Sequence, residues 1–102
     1  MITSKKIVLT GADSGIGLEV LKLLAKDGTN KILAVDINCN NMDKISDNVI
    51  PMQTDVSSQQ AVDEIFEKAE AELGKIDIFY ANAGYPYYIY PMVAALVGIS
   101  KV

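Results

Sequence analysis

Four short stretches hold residues whose types and spacing could do chemistry. The first, Thr10 to Gly17, reads TGADSGIG and places glycines at 11, 15 and 17. It follows a run of β-formers, Ile7-Val8-Leu9, and precedes a run of helix-formers, Leu18 to Lys26. Glycine takes backbone angles closed to other residues and lets a ligand approach the main chain. A helix start offers free N–H groups and the positive end of the helix dipole, so a glycine turn there suits a phosphate. The spacing is G-x-x-x-G-x-G, not G-x-G-x-x-G, and no Gly-Lys-Ser or Gly-Lys-Thr follows, so this is not a P-loop. Alone, the same spacing would equally serve a structural turn.

The other three stretches each end an apolar run. Asp36, followed by Ile37, stands about twenty residues after the glycine turn. A carboxylate there can accept hydrogen bonds from both ribose hydroxyls of an adenosine, and it repels a 2′-phosphate. No Arg or Lys lies in the glycine turn or beside Asp36, which favours NAD over NADP. Asp55-Val56 comes after the third apolar run. Asp55 could accept from an adenine amino group, or could simply precede a helix whose dipole favours a carboxylate. Asn82-Ala83-Gly84 follows the fourth run. Small residues there would admit a ribose or nicotinamide, and the Asn82 amide can bridge neighbouring strand ends.

These residues need elements to position them. Lys6–Leu9 is short, apolar and β-branched, as in a strand buried on both faces. Residues 15–27 read as a helix with Ile16, Leu18, Val20, Leu21, Leu23 and Leu24 forming a broad apolar face, ended by Gly28. A second strand covers Ile32–Val35, and Met42–Ile45 reads as a short, weak helix. Val49–Thr54 reads as a third strand. Pro51 cannot donate to a ladder, so that strand belongs at an edge. Ser57–Leu73 is the clearest helix, with Ser57 and Gln60 in a capping-box pattern and Gly74 as its stop. Ile76–Ala81 is the fourth strand. The alternation predicts an α/β fold: a Rossmann-type doubly wound parallel sheet, incomplete, with about four strands in order 3-2-1-4. Residues 1–84 form the dinucleotide-binding half, and residues 85–102 an atypical tail of the same domain. The tail holds four of the five tyrosines, at 85, 87, 88 and 90.

Composition narrows the function classes. The chain has 102 residues, enough for one small domain with a real core. Half are hydrophobic, 22% are charged and the net charge is −4, with no Lys/Arg-rich stretch. That argues against nucleic-acid and anionic-membrane partners. With no histidine in the chain, imidazole acid–base catalysis and imidazole-based metal sites are excluded, and no metal ligand set is expected. Cys39 is the one cysteine, so no internal disulfide can form, and a reducing, cytoplasmic setting is expected. No apolar run is long enough for a signal peptide or a membrane span.

Taken together, the four stretches resemble the N-terminal part of the short-chain dehydrogenase/reductase family, over about residues 5 to 84. Thr10–Gly17 matches the family's TGxxxGxG motif, and Asp36 its ribose-binding acid. Asp55-Val56 matches its adenine-side pair. Ala81-Asn82-Ala83-Gly84 matches its NNAG motif, with Ala81 in place of the first Asn. The resemblance implies a nicotinamide dinucleotide cofactor and hydride transfer to or from a carbonyl or alcohol. It implies that Gly11, Gly15, Ile16 and Gly17 line the pyrophosphate, and that Asn82 to Gly84 line the ribose on the nicotinamide side. Ser14 occupies a place where NADP-preferring relatives often carry a base, again favouring NAD.

The resemblance puts the family's catalytic Ser and Tyr-x-x-x-Lys pair beyond Val102. Four residues after Tyr85, Tyr87, Tyr88 and Tyr90 come Ile89, Pro91, Met92 and Ala94, not lysine. The expectation is an NAD-binding fragment with no catalytic residue of its own. A non-catalytic dinucleotide-binding module is the alternative. A phosphoryl-accepting signalling domain of flavodoxin-like topology, using Asp55, is a third possibility, but only Asp13 could supply the acidic pair it needs. An incomplete sheet leaves apolar surface exposed, so a homo-oligomer formed through that face or the tail is expected.

Overall fold

A computed structural model of the chain describes residues 2–82. The element order is β1 (Lys6–Thr10), α1 (Gly15–Ala25), β2 (Lys31–Asp36), a short 3₁₀ helix (Met42–Lys44), β3 (Val49–Gln53), α2 (Gln59–Leu73) and β4 (Ile78–Ala81). The four strands form one parallel sheet in the order β3-β2-β1-β4. This is the expected Rossmann-type plan, and it differs from the 2-1-3 strand order of flavodoxin-like domains, so the signalling reading falls. Pro51 sits on edge strand β3, opposite Ala34, where its missing N–H costs no ladder bond in the sheet interior.

Side chains alternate across the strands and feed two cores. On one face Ile7, Leu9, Ile32 and Ala34 pack with Leu21 and Ala25 of α1 and with Met42. On the other, Val8, Leu33 and Val35 pack with Val62, Ile65, Ala69 and Leu73 of α2. Phe66 and Phe79 stack beside this second core with ring centroids 5.1 Å apart. Alternate burial on both faces explains why β1 and β2 are continuous apolar runs.

The α1 face is the expected one only in part: Leu21 is buried, and Leu18, Val20 and Leu24 pack against the same core. Gly17, Leu21 and Ala25 face inward, whereas Ile16 (74% exposed) and Leu23 (65%) face out. The expected face followed the larger side chains. The helix instead lies close to the sheet on its small ones. It also ends earlier, at Ala25 with Lys26 as cap rather than at Gly28. Asp27 Oδ1 accepts from both the N–H and the hydroxyl of Thr29, at 2.9 and 2.6 Å, and this turn replaces further helical bonds.

The α2 start is also corrected. Ser58, not Ser57, is the N-cap, and its hydroxyl accepts from Ala61 N at 3.1 Å. Ser57 N is drawn instead to Asp55 Oδ1 at 3.0 Å. Gly74 ends α2 with φ +81°, a conformation that favours glycine. Residues 83–102, including Ala83, Gly84 and the tail tyrosines, lie outside the described residues.

Candidate dinucleotide site

All four strands point the same way, so their C-terminal ends share one rim. β1 ends at Thr10, and the residue beyond it, Gly11, has φ +69°. Gly15 opens α1 with φ +56°, and a side chain there would meet nothing within 4 Å. The first helical bond runs from Leu18 N to Ser14 O at 3.2 Å, and the Ser14 side chain caps nothing. The N–H groups of Gly15, Ile16 and Gly17 therefore precede the helix's own ladder, at the end of α1 that adjoins the rim. This is a surface that suits an anionic oxygen.

Gly17 has a different task. A Cβ at this position would lie 1.8 Å from Gly11 O and 2.7 Å from Asn82 Nδ2. The helix start thus presses directly onto the loop it leaves. Asn82 closes the same corner from β4: its N–H donates to Thr10 Oγ1 at 3.1 Å and its amide to Gly11 O at 3.4 Å. The bridging role expected for its amide is what the geometry shows.

Asp36 ends β2 on the same rim. Its Oδ2 accepts from Asp13 N at 2.9 Å, and its Oδ1 from Ile37 N at 2.7 Å. Ala12 N donates to Val35 O at 3.2 Å, so main chain and side chain together dock the glycine turn on β2. Ile37 itself is exposed beside the carboxylate. Asp55 is exposed one strand further out, held by Ser57 N, while Val56 turns down into the α2 core. The structure therefore brings Gly11, Ser14, Gly15, Ile16, Gly17, Asp36, Ile37 and Asn82 to neighbouring strand ends, with Asp55 at the outer end.

One residue of the glycine turn has a structural role that its place in the sequence does not reveal. Asp13 is 5% exposed, and its Oδ1 accepts from Asn41 N at 2.7 Å and Met42 N at 2.9 Å. The Asn41 amide returns a bond to Asp13 O at 2.9 Å. Asp13 thus ties the glycine turn to the loop after β2. Its partners are backbone groups 28 and 29 residues away, which periodicity cannot show.

Three comparisons bear on this arrangement. The family model described as short chain dehydrogenase matches residues 5–96. The chain belongs to the short-chain dehydrogenase family. An uncharacterized oxidoreductase of Staphylococcus saprophyticus is 34% identical over 88 residues, covering 81% of this chain and 35% of the relative. One from Staphylococcus aureus is 35% identical over 92 residues. The chain thus spans about a third of the length of the curated relatives it matches. Among solved structures, 3-ketoacyl-(acyl-carrier-protein) reductase from Brucella melitensis, complexed with NADH, superposes with TM-score 0.67 at 33% identity. That match covers 74% of this chain and 32% of the reductase. Hydroxysteroid dehydrogenase from Escherichia coli gives 0.68 at 28% identity, covering 79% and 37%. In this family chain, no helix among the described residues is long and apolar enough to cross a membrane, and no group of three or more metal-ligating side chains is found among them.

Proposed function

We propose that this chain forms the cofactor-binding half of a short-chain dehydrogenase, binds NAD in preference to NADP, and serves hydride transfer between the nicotinamide and a carbonyl or alcohol. The observation that carries this reading is the convergence of the glycine turn, Asp36 and Asn82 on one rim of a parallel sheet. Gly11 and the N–H groups of Gly15, Ile16 and Gly17 hold the pyrophosphate, with Ser14 beside them. Asp36 accepts from the hydroxyls of the adenosine ribose, beside Ile37. An ionised carboxylate offers about four acceptor positions, and the short bonds from Asp13 N and Ile37 N, with a long one of 3.5 Å from Asn38 N, leave room for a ribose hydroxyl. Asp55, with Val56 anchoring its turn, faces the adenine. Asn82, with Ala83 and Gly84, lines the ribose on the nicotinamide side.

When bound, the nicotinamide supplies the hydride chemistry. The residues of this chain bind and orient it, and none is assigned a proton-transfer step, because no late tyrosine has a lysine four residues on. A cytoplasmic setting agrees with the single cysteine, Cys39. Exposed Leu23 and Tyr80 agree with pairing of two copies. In register Tyr80 lies beside Leu9, on the sheet face that α1 covers.

Calorimetric titration with NAD and NADP tests the reading. NAD is expected to bind more tightly. Asp36→Ala is expected to weaken NAD more than NADP. No binding of either dinucleotide up to about 1 mM overturns the site, and equal losses for both overturn the Asp36–ribose contact.

A further inference from the structure

Asp36 is not the only carboxylate at the end of β2. Asp13 lies under it, with its own N–H bonded to Asp36 Oδ2 at 2.9 Å. Its side chain is almost wholly buried, held by the N–H groups of Asn41 and Met42. The three ion pairs among the described residues involve neither acid. Two negative charges thus stand together, and among the described residues no cation is paired to either. The hydrogen bonds to Asp13 are short and come from backbone, so this charge is held in place. It is also shielded from water, which makes it act further than an exposed one.

We propose that Asp13 is a second determinant of dinucleotide choice, its buried charge acting with Asp36 to reject a 2′-phosphate. The inference rests on the dinucleotide reading above. NAD and NADP share the pyrophosphate, so its repulsion cancels in the ratio of their dissociation constants. Only the 2′-phosphate, which carries close to two charges, feels Asp13 differently in the two ligands. Salt weakens such an effect, although less than it weakens one between two exposed charges, because Asp13 is buried.

Asp13→Asn keeps an acceptor oxygen for Asn41 and Met42 and removes the charge. Asp13→Ser removes it with a smaller side chain. Each is titrated with NAD and NADP at about 0.01 M and about 1 M salt, where the screening length is ~30 Å and ~3 Å. The ratio of NADP to NAD dissociation constants is expected to fall roughly threefold or more in either folded variant at low salt, through tighter NADP binding with NAD unchanged, and the change is expected to be smaller at high salt. A wild-type ratio in the variants at low salt overturns the proposal. So does a narrowed ratio that comes from weaker NAD binding rather than from tighter NADP binding, which would mean a displaced Asp36. If the wild type binds neither dinucleotide, the site reading itself fails and this inference falls with it.

Discussion

Gly17→Ala tests the close approach at the heart of the site. The added methyl would sit 1.8 Å from Gly11 O, where real Cβ contacts stay beyond 3.0 Å. The start of α1 must therefore move by about 1.2 Å, and the obstacle is backbone, with Asn82 Nδ2 also in the way. Overpacking of this kind costs about 1–3 kcal/mol, and here the upper part of that range applies, because a main-chain carbonyl cannot swing aside as a side chain can. Alanine returns at most about 1 kcal/mol of helix propensity. The net loss is then about 2 kcal/mol, or about 10 °C in Tm for a domain near 100 residues. The same shift moves the N–H groups proposed to hold the pyrophosphate, so NAD affinity should fall at least about tenfold. Two variants calibrate the result. Gly28→Ala meets nothing within 4 Å and has no positive φ, so it should be neutral or slightly stabilising. Gly15→Ala also meets nothing, but its φ of +56° should cost about 1 kcal/mol. Thermal unfolding and calorimetric titration read all three. A Gly17→Ala protein as stable as wild type, with unchanged NAD affinity, would refute the argument.

Three further outcomes are expected. Ser58→Ala should cost about 1 kcal/mol in denaturant unfolding by removing the α2 cap, and Ser57→Ala distinctly less; the reverse order would restore the Ser57 capping box. The Asp77 carboxyl, held below its ordinary value of 3.8 first by the Lys6 N–H and then by Lys75, contributes stability that is present above that value and lost as pH falls through the lowered one. The acid side of the stability–pH curve should therefore flatten in Asp77→Asn; an unchanged slope below about pH 4 would contradict it. Light scattering should show a dimer or larger assembly, and a monodisperse monomer at working concentration would dismiss pairing through the exposed apolar face.

Much of the site was legible because its signals are local. Gly11, Gly15 and Gly17 mark a strand-to-helix turn, and Asp36 and Asp55 each follow an apolar strand run. In a parallel sheet those ends must share a rim. Pro51 placed β3 at the edge for an equally local reason, its missing donor. At Ile16 and Leu23 the α1 face departs from expectation because hydropathy weights large side chains. Ile16 and Leu23 look like core, but close approach to the sheet selects Gly17 and Ala25. The α2 start lies one residue beyond the expected one because Ser57 and Ser58 both suit a cap, and the competing bond from Ser57 N to Asp55 separates them.

By itself, then, the sequence determined the order and type of the elements, the parallel plan and the residues at the strand ends, because backbone propensity and side-chain alternation act over a few neighbours. Tertiary structure decided which side of α1 is buried, how near α1 stands to Gly11, and that Asp13 locks the loop after β2 beneath Asp36. Those outcomes depend on distances between segments far apart in the chain. The 1.8 Å clearance at Gly17 and the bonds from Asn41 and Met42 to Asp13 exist only once β1, β2 and β4 are laid side by side.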